Sequence, residues 1–470
     1  MESNTPCIWW VRRDLRLGDN AALSAAAESG PVIALFIRDV QMDGLGAAPK
    51  WRLGEGLREL QRALEARGSR LILRRGAALD VLREVIAETG ARAVHWNRLY
   101  DPLSRERDGD IKSALRSDGI TAQSHGGHLL HEPWTVETGS GGFYKVYTPF
   151  WKAVRGRDPG TPLPVPRLAP PRGWPRGEIL DDWALGAAMR RGAAVVARHC
   201  KPGEAAAAAR LSAFIEARLA SYGDGRDMVA QNATSGLSEY LALGEVSPRQ
   251  VWAAGMAARE KANRGAEAFL RQIVWRDFAH HLMFHTPHIL NANWREGWDG
   301  FPWAEDAEHP HFQAWKQGRT GVDLVDAAMR EMYVTGHMHN RARMIVASYL
   351  TKHLLVHWKL GQAWFEECLT DWDPANNAMG WQWVAGSGPD AAPYFRIFNP
   401  ETQAEKFDPE GQYRRRWLAE GQAQPTETAL SFFEAMPESW NLAPGDMRPT
   451  PLIELKAGRE RALAAYESSR

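Results

Sequence analysis

Ile8-Trp9-Trp10-Val11 and Val32-Ile33-Ala34-Leu35-Phe36-Ile37 are short, uncharged runs rich in Ile, Val and aromatic side chains. Such runs suit strands buried on both faces of a sheet. Helical spacing follows over 53–66 and stops at Gly68. A strand returns at 71–73, then a helix over 79–88 closed by Gly90. A strand at 93–96, a charged helix over 103–117 and a short strand at 120–123 complete the series. Repeated βα units predict a parallel sheet with right-handed crossovers and helices on both faces. That sheet could hold a nucleotide at its switch point. No G-x-G-x-x-G joins a strand to a helix, however, and no G-x-x-x-x-G-K-[ST] occurs; Gly44-Leu45-Gly46 is only a short loop.

Beyond this α/β region the character changes. Gly139–Gly142 and the proline-rich 159–175 read as a connection, and from 205 onward the pattern is helical. Ser247-Pro248-Arg249-Gln250 is a helix start with a capping box and proline at the first helical position. Segments 265–285, 322–333, 338–357 and 361–369 carry helical apolar spacing. The predicted division is an α/β domain over 1–130, a linker over 131–200 and a helical domain over 201–470. A chain of 470 residues is long enough for two cores.

The 57 basic and 57 acidic side chains cancel, so a nucleic-acid site has to be a local patch. Cys7, Cys200 and Cys368 are too few and too scattered for a disulfide framework, a zinc site or a four-cysteine cluster. They suit reduced thiols in the cytoplasm. No signal peptide and no membrane-length apolar run is expected, so the chain reads as soluble. The 21 Trp against 15 Phe are unusual, because stacking surfaces and electron relays favour Trp over Leu and Phe.

Four stretches carry chemistry. Tyr222-Gly-Asp-Gly-Arg226-Asp227, with Thr234-Ser235-Gly236-Leu237-Ser238, offers hydroxyls and backbone N–H groups suited to phosphate, and equally to helix capping. Gln272, Trp275 and Arg276 share a helix face, as a base-stacking site or a domain-surface aromatic would. His337-Met338-His339-Asn340-Arg341-Ala342-Arg343-Met344 places Asn340 and Met344 one turn apart; without H-E-x-x-H it is not read as a metal site. Asp371-Trp372-Asp373 precedes Asn377, Trp381 and Trp383, and its carboxylates suit metal, acid or capping roles.

Together with Trp10-Val-Arg-Arg-Asp-Leu-Arg-Leu, Tyr144-Lys-Val-Tyr-Thr-Pro-Phe, Gly380-Trp-Gln-Trp and Arg396-Ile-Phe-Asn-Pro, these stretches resemble the DNA photolyase/cryptochrome family over nearly the whole chain. Their motifs are closest to cyclobutane pyrimidine dimer photolyases of the class I-like type. The resemblance implies an α/β N-terminal domain with a parallel, Rossmann-like sheet and an all-α C-terminal FAD-binding domain. Tyr222, Thr234, Ser235, Gly236, Leu237, Ser238, Gln272, Arg343, Asp371, Trp372, Asp373 and Asn377 would hold FAD, with Asn377 facing flavin N5. Trp381, Trp358 and Trp303 match the electron relay. Arg226, Gln272, Trp275, Arg276, Asn340, Arg341, Met344, Trp383, Arg396 and Gln403 match positions that meet damaged DNA, whose lesion must leave the base stack.

The chain departs from the family pattern in three places. Gln272 stands where dimer photolyases usually carry Glu, and His337 where Trp is common. Gly236 replaces an Arg in the hydroxyl loop and removes a phosphate partner. Segment 97–104 lacks the Asn-Glu pair of folate-binding relatives, which leaves a second antenna chromophore (folate, deazaflavin or flavin) unassigned. The implied activity is blue-light repair of cyclobutane dimers by a monomer in the cytoplasm. The alternative is a cryptochrome-like photoreceptor, against which stands the lack of a long low-complexity tail before Arg470. A generic flavin oxidoreductase would want a nicotinamide fingerprint and leaves the DNA-facing residues unexplained.

Overall fold

The computed structural model describes residues 5–390 and 395–469. The part 391–394 of the stretch between Gly386 and Gln403 lies outside the described residues. Strands β1 (Cys7–Val11), β2 (Val32–Arg38), β3 (Leu71–Arg75), β4 (Ala93–Asn97) and β5 (Thr121–His125) form one parallel sheet in the order β3-β2-β1-β4-β5. The alternation seen in the sequence is therefore the topology. β1 is buried at every residue, because helices cover both faces of the sheet and one apolar cluster fills each side.

One helix starts earlier than its spacing suggests. It runs Ala47–Glu65, not 53–66, through Gly54 and Gly56, where glycines normally weaken a helix. Tertiary packing overrides that propensity, since Leu185 and Leu15 lie against these two positions. The helix also docks the domains. Arg52 is fully buried and grips Glu245 through both terminal nitrogens, one of them at 3.0 Å.

The rest is helical. The connection is more than a tether, because the helix Tyr147–Val154 places Tyr147, Phe150, Trp151 and Val154 in the same core as the helix Ala266–His285. The expected helix over 338–357 is two pieces, Asn340–Ser348 and a π-helical turn Tyr349–His353. Among the described residues no helix is long and apolar enough to cross a membrane.

Candidate active site

Helices Ser238–Leu243, Ala266–His285, Asn340–Ser348 and Pro374–Ala385 surround one cavity of about 340 Å³. Tyr222 and the whole loop Thr234 to Ser238 line one end. Arg343, Asp371, Asp373, Asn377 and Trp381 line it too, as do Arg226, Gln272, Trp275 and Met344, which are half-buried, and Asn340, which is exposed.

The interior is strongly charged for a buried site. Burial of Asp371 opposes its ionisation, but Arg343 outweighs burial by donating Nη2–H to Oδ2 at 2.7 Å, and the carboxyl stays below its usual range. Arg343 is itself held by Nε donating to the Met338 carbonyl at 2.8 Å. Asp373 caps the helix Pro374–Ala385 by accepting from the Asn376 amide at 2.8 Å. Burial again opposes ionisation there. His280, donating to Oδ2 at 3.0 Å, with Arg276 and Arg13 nearby, holds Asp373 well below the ordinary carboxylate range. His128, His280 and Asp373 cluster within 4.8 Å as metal ligands would. The positive charge at that point is already arginine, since Arg276 Nη2 lies 2.8 Å from His128 Nε2. Asn377 is buried and donates Nδ2–H to the Asp373 carbonyl at 3.0 Å.

Two buried polar atoms on the cavity wall, Asp371 Oδ1 and Trp381 Nε1, have no hydrogen-bond partner among the described residues. Buried polar groups are normally satisfied, so both fit a polar occupant. Hydroxyls and amides at one end, ionised carboxylates as acceptors, and Arg343 beside a ring that takes up negative charge fit a flavin dinucleotide. His337 and His339 also line the cavity, and burial pushes each imidazole down to about 4, so both are neutral at physiological pH.

The three tryptophans expected to form a relay, Trp381, Trp358 and Trp303, are all buried, and only Trp381 lines the cavity. Trp381 lies against the bare backbone of Gly361, where a Cβ would sit 2.2 Å from the indole. Only glycine admits that approach. Trp358, one turn before Gly361, is fully buried with Nε1–H donated to Asn293 Oδ1 at 2.8 Å. His357 lies between Trp358 and Trp303, at ring separations of 5.5 Å and 5.1 Å. Trp303 stacks on half-buried Trp298 at 5.6 Å and 14°. Sequence reasoning missed Trp298, and also Phe365, which meets Trp381 edge-on at 4.8 Å. Helical spacing alone gives no sign of contacts between separate segments.

One residue expected to hold the cofactor lies elsewhere. Trp372 turns away from the cavity into the apolar core of the helical region, as its position between two inward-facing carboxylates allows. Arg276 lines the cavity with Gln272 and Trp275, but unlike them it is buried. Its guanidinium is bonded to the His128 carbonyl at 2.6 Å and ties the helix to the segment around His128. Arg341, Trp383, Arg396 and Gln403 do not line the cavity. Arg341 pairs with Asp227 at 2.7 Å, Arg396 is exposed, and Trp383 and Gln403 are half-buried.

A family profile described as the FAD binding domain of DNA photolyase matches residues 269–468, and one described as DNA photolyase matches residues 7–168. A deoxyribodipyrimidine photo-lyase of Agrobacterium fabrum is 46% identical over 468 residues, covering 98% of this chain and 97% of that one. The crystal structure of a bacterial class III photolyase from Agrobacterium tumefaciens has a TM-score of 0.91 at 45% identity, covering 99% of this chain and 98% of the other. A Synechocystis cryptochrome structure has a TM-score of 0.84 at 27% identity, covering 98% and 99%. Because the solved relative at 45% identity is a class III enzyme, these matches do not carry the class I-like placement expected from the motifs.

Proposed function

The chain belongs to the DNA photolyase/cryptochrome family, and from that premise we propose that it is a deoxyribodipyrimidine photo-lyase that repairs cyclobutane pyrimidine dimers under blue light. The observation that carries the reading is one cavity that joins a hydroxyl loop, an arginine–carboxylate interior and Trp381 to a mouth edged by an amide, an indole and a thioether. FAD bound there supplies a light-excited electron. The protein's own residues do the rest. Thr234 to Ser238 hold the phosphates, Arg343 and Asp371 orient the ring, and Asn377, which has no titratable proton near neutrality, faces it. Trp381, Trp358 and Trp303 carry electrons inward from the surface. Trp275 and Trp383 stack on a dimer flipped out of the helix, which Gln272, Asn340 and Met344 position. It acts in this reading as a monomer in the cytoplasm, a compartment that the three free cysteines suit. The working division is 1–130, 131–200 and 201–470.

Lesion choice follows from chemistry at the mouth. Neither Asn340 nor Met344 can pass a proton at physiological pH, and splitting a cyclobutane ring requires an electron but no net proton transfer. Repair of cyclobutane dimers is expected with none of (6-4) photoproducts. Gln272 Oε1 accepts from Arg226 Nη2 at 3.2 Å, so Gln272→Glu keeps the acceptor and converts this contact into an ion pair. Cyclobutane repair by that variant is expected to hold or rise. The check is chromatography of both defined lesions after illumination. Efficient (6-4) repair beside inert cyclobutane dimers overturns the assignment, and no repair of either lesion favours the cryptochrome alternative.

DNA affinity is expected to fall as salt rises, since a net-neutral protein must bind phosphate through a local patch. Replacing Arg226, Arg341 or Arg396 by Ala lowers the salt slope by up to about one counterion. At Arg341 the change is reduced, because Asp227 already pairs with it. Anisotropy titrations of a labelled, lesion-bearing oligonucleotide read the slope. An affinity independent of salt contradicts this surface as the DNA site.

A further inference from the structure

Gly236 lies in the hydroxyl loop that lines the cavity, at φ +63°, in the left-handed region that favours glycine. The space its side chain would fill is occupied. A Cβ built at Gly236 would lie 2.1 Å from Nη2, 2.5 Å from Nε and 2.7 Å from Cζ of Arg210. The guanidinium of Arg210, which ends a long reach from the helix Glu204–Ala217, therefore rests directly on the bare Cα. Its Nε donates to the Ser235 carbonyl at 3.2 Å, which fixes it to the loop.

The surrounding charges single Arg210 out. Arg343 is paired with Asp371, Arg341 with Asp227, and Arg226 bonds Gln272. No carboxylate among the described residues forms an ion pair with Arg210, although it is exposed. Arg210 does not itself line the cavity, but it packs on Gly236, which does, and its charge adds to burial and Arg343 in depressing His337. A loop bearing Thr234, Ser235 and Ser238 hydroxyls thus carries one unneutralised cation, delivered by a neighbouring helix.

We propose that Arg210 is a phosphate-binding residue of this cavity, its guanidinium standing where a side chain at position 236 would stand and binding the diphosphate of the dinucleotide cofactor. The inference rests on reading the cavity as an FAD site. It also means that the glycine removes no phosphate partner from the loop. The small residue opens the space through which the cation is supplied from outside the motif. A guanidinium presents two parallel N–H donors to a phosphate, so charge and hydrogen bonding act together.

The test is titration of apoprotein with FAD, read by flavin fluorescence at low and moderate salt, for the unaltered chain, R210K and R210Q, with the melting temperature of each apoprotein. R210Q is expected to raise the Kd for FAD about three- to tenfold and to flatten its salt dependence, as befits one partly exposed charge-assisted contact. R210K, which keeps the charge, is expected to retain most of the affinity, and the apoprotein melting temperatures are expected to match. An unchanged Kd in R210Q overturns the proposal. So does an equal loss in R210K and R210Q, or a loss matched by a lower apoprotein melting temperature, since either makes Arg210 a packing residue over Gly236. Failure of the unaltered chain to bind FAD overturns the reading of the cavity itself, and this inference with it.

Discussion

Replacing Trp381 by phenylalanine is expected to hold light-driven reduction of oxidised bound flavin at the level of a sample kept in the dark, while the flavin stays bound. Trp381 is the one proposed relay residue that lines the cavity, and its indole packs onto Gly361, one turn from Trp358. A phenyl ring fits the same slot and keeps the edge-on contact with Phe365, but it gives up an electron far less readily than indole. The packing cost is about 1–2 kcal/mol, too little to unfold the domain. Protein reduced chemically beforehand should still repair, because the relay serves only to reduce the flavin. Flavin absorbance followed under illumination makes the check. Undiminished photoreduction in Trp381→Phe places the relay on another path.

The second large effect is expected at Arg343. Its pairing with Asp371 is what keeps a carboxylate ionised at a position only 5% exposed. Removing one partner of such a pair leaves an uncompensated buried charge, at a cost of about 3 kcal/mol or more. Arg343→Ala should therefore purify largely without flavin and melt well below the unaltered chain. Adding Asp371→Asn should restore part of the stability but not the flavin, because the orphaned charge is gone while the ring has lost its guanidinium. The sign of the pH effect follows from the same pair. Asp371 is held below its ordinary range in the folded chain, so its stabilisation is full above the unfolded carboxylate value and is lost as pH falls through the depressed one. Full flavin content in Arg343→Ala would show that the pair does not face the cofactor.

How far the sequence could be read depended on where each cause lies. The strands were legible because β1 and β2 are buried on both faces and so read as unbroken apolar runs. The capping box at Ser247 was legible because its two hydrogen bonds lie within four consecutive residues, and both are present. The helix Ala47–Glu65 was mistaken at its start because the reason Gly54 and Gly56 are tolerated sits on Leu185 and Leu15, far along the chain. The burial of Arg276 was not legible for a related reason. Spacing gives the helix face but not the depth, and the partner that buries it is His128, in a different segment. Trp372 shows the limit of motif carry-over, since a residue flanked by two cavity-lining carboxylates points into the core. Arg210 has no motif at all. Its place over Gly236 is visible only once the two segments are folded together.

Light acting through this cavity is expected to split cyclobutane dimers in DNA. The direct measurement mixes the flavin-loaded, reduced protein with ultraviolet-irradiated oligothymidylate and follows absorbance near 260 nm in blue light and in darkness, since splitting each dimer restores two thymine chromophores. The expected result is a rise that starts with illumination, stops when the light is removed, and is absent without flavin. A flat trace in light, from protein shown to hold reduced flavin and to bind the oligonucleotide, would contradict it.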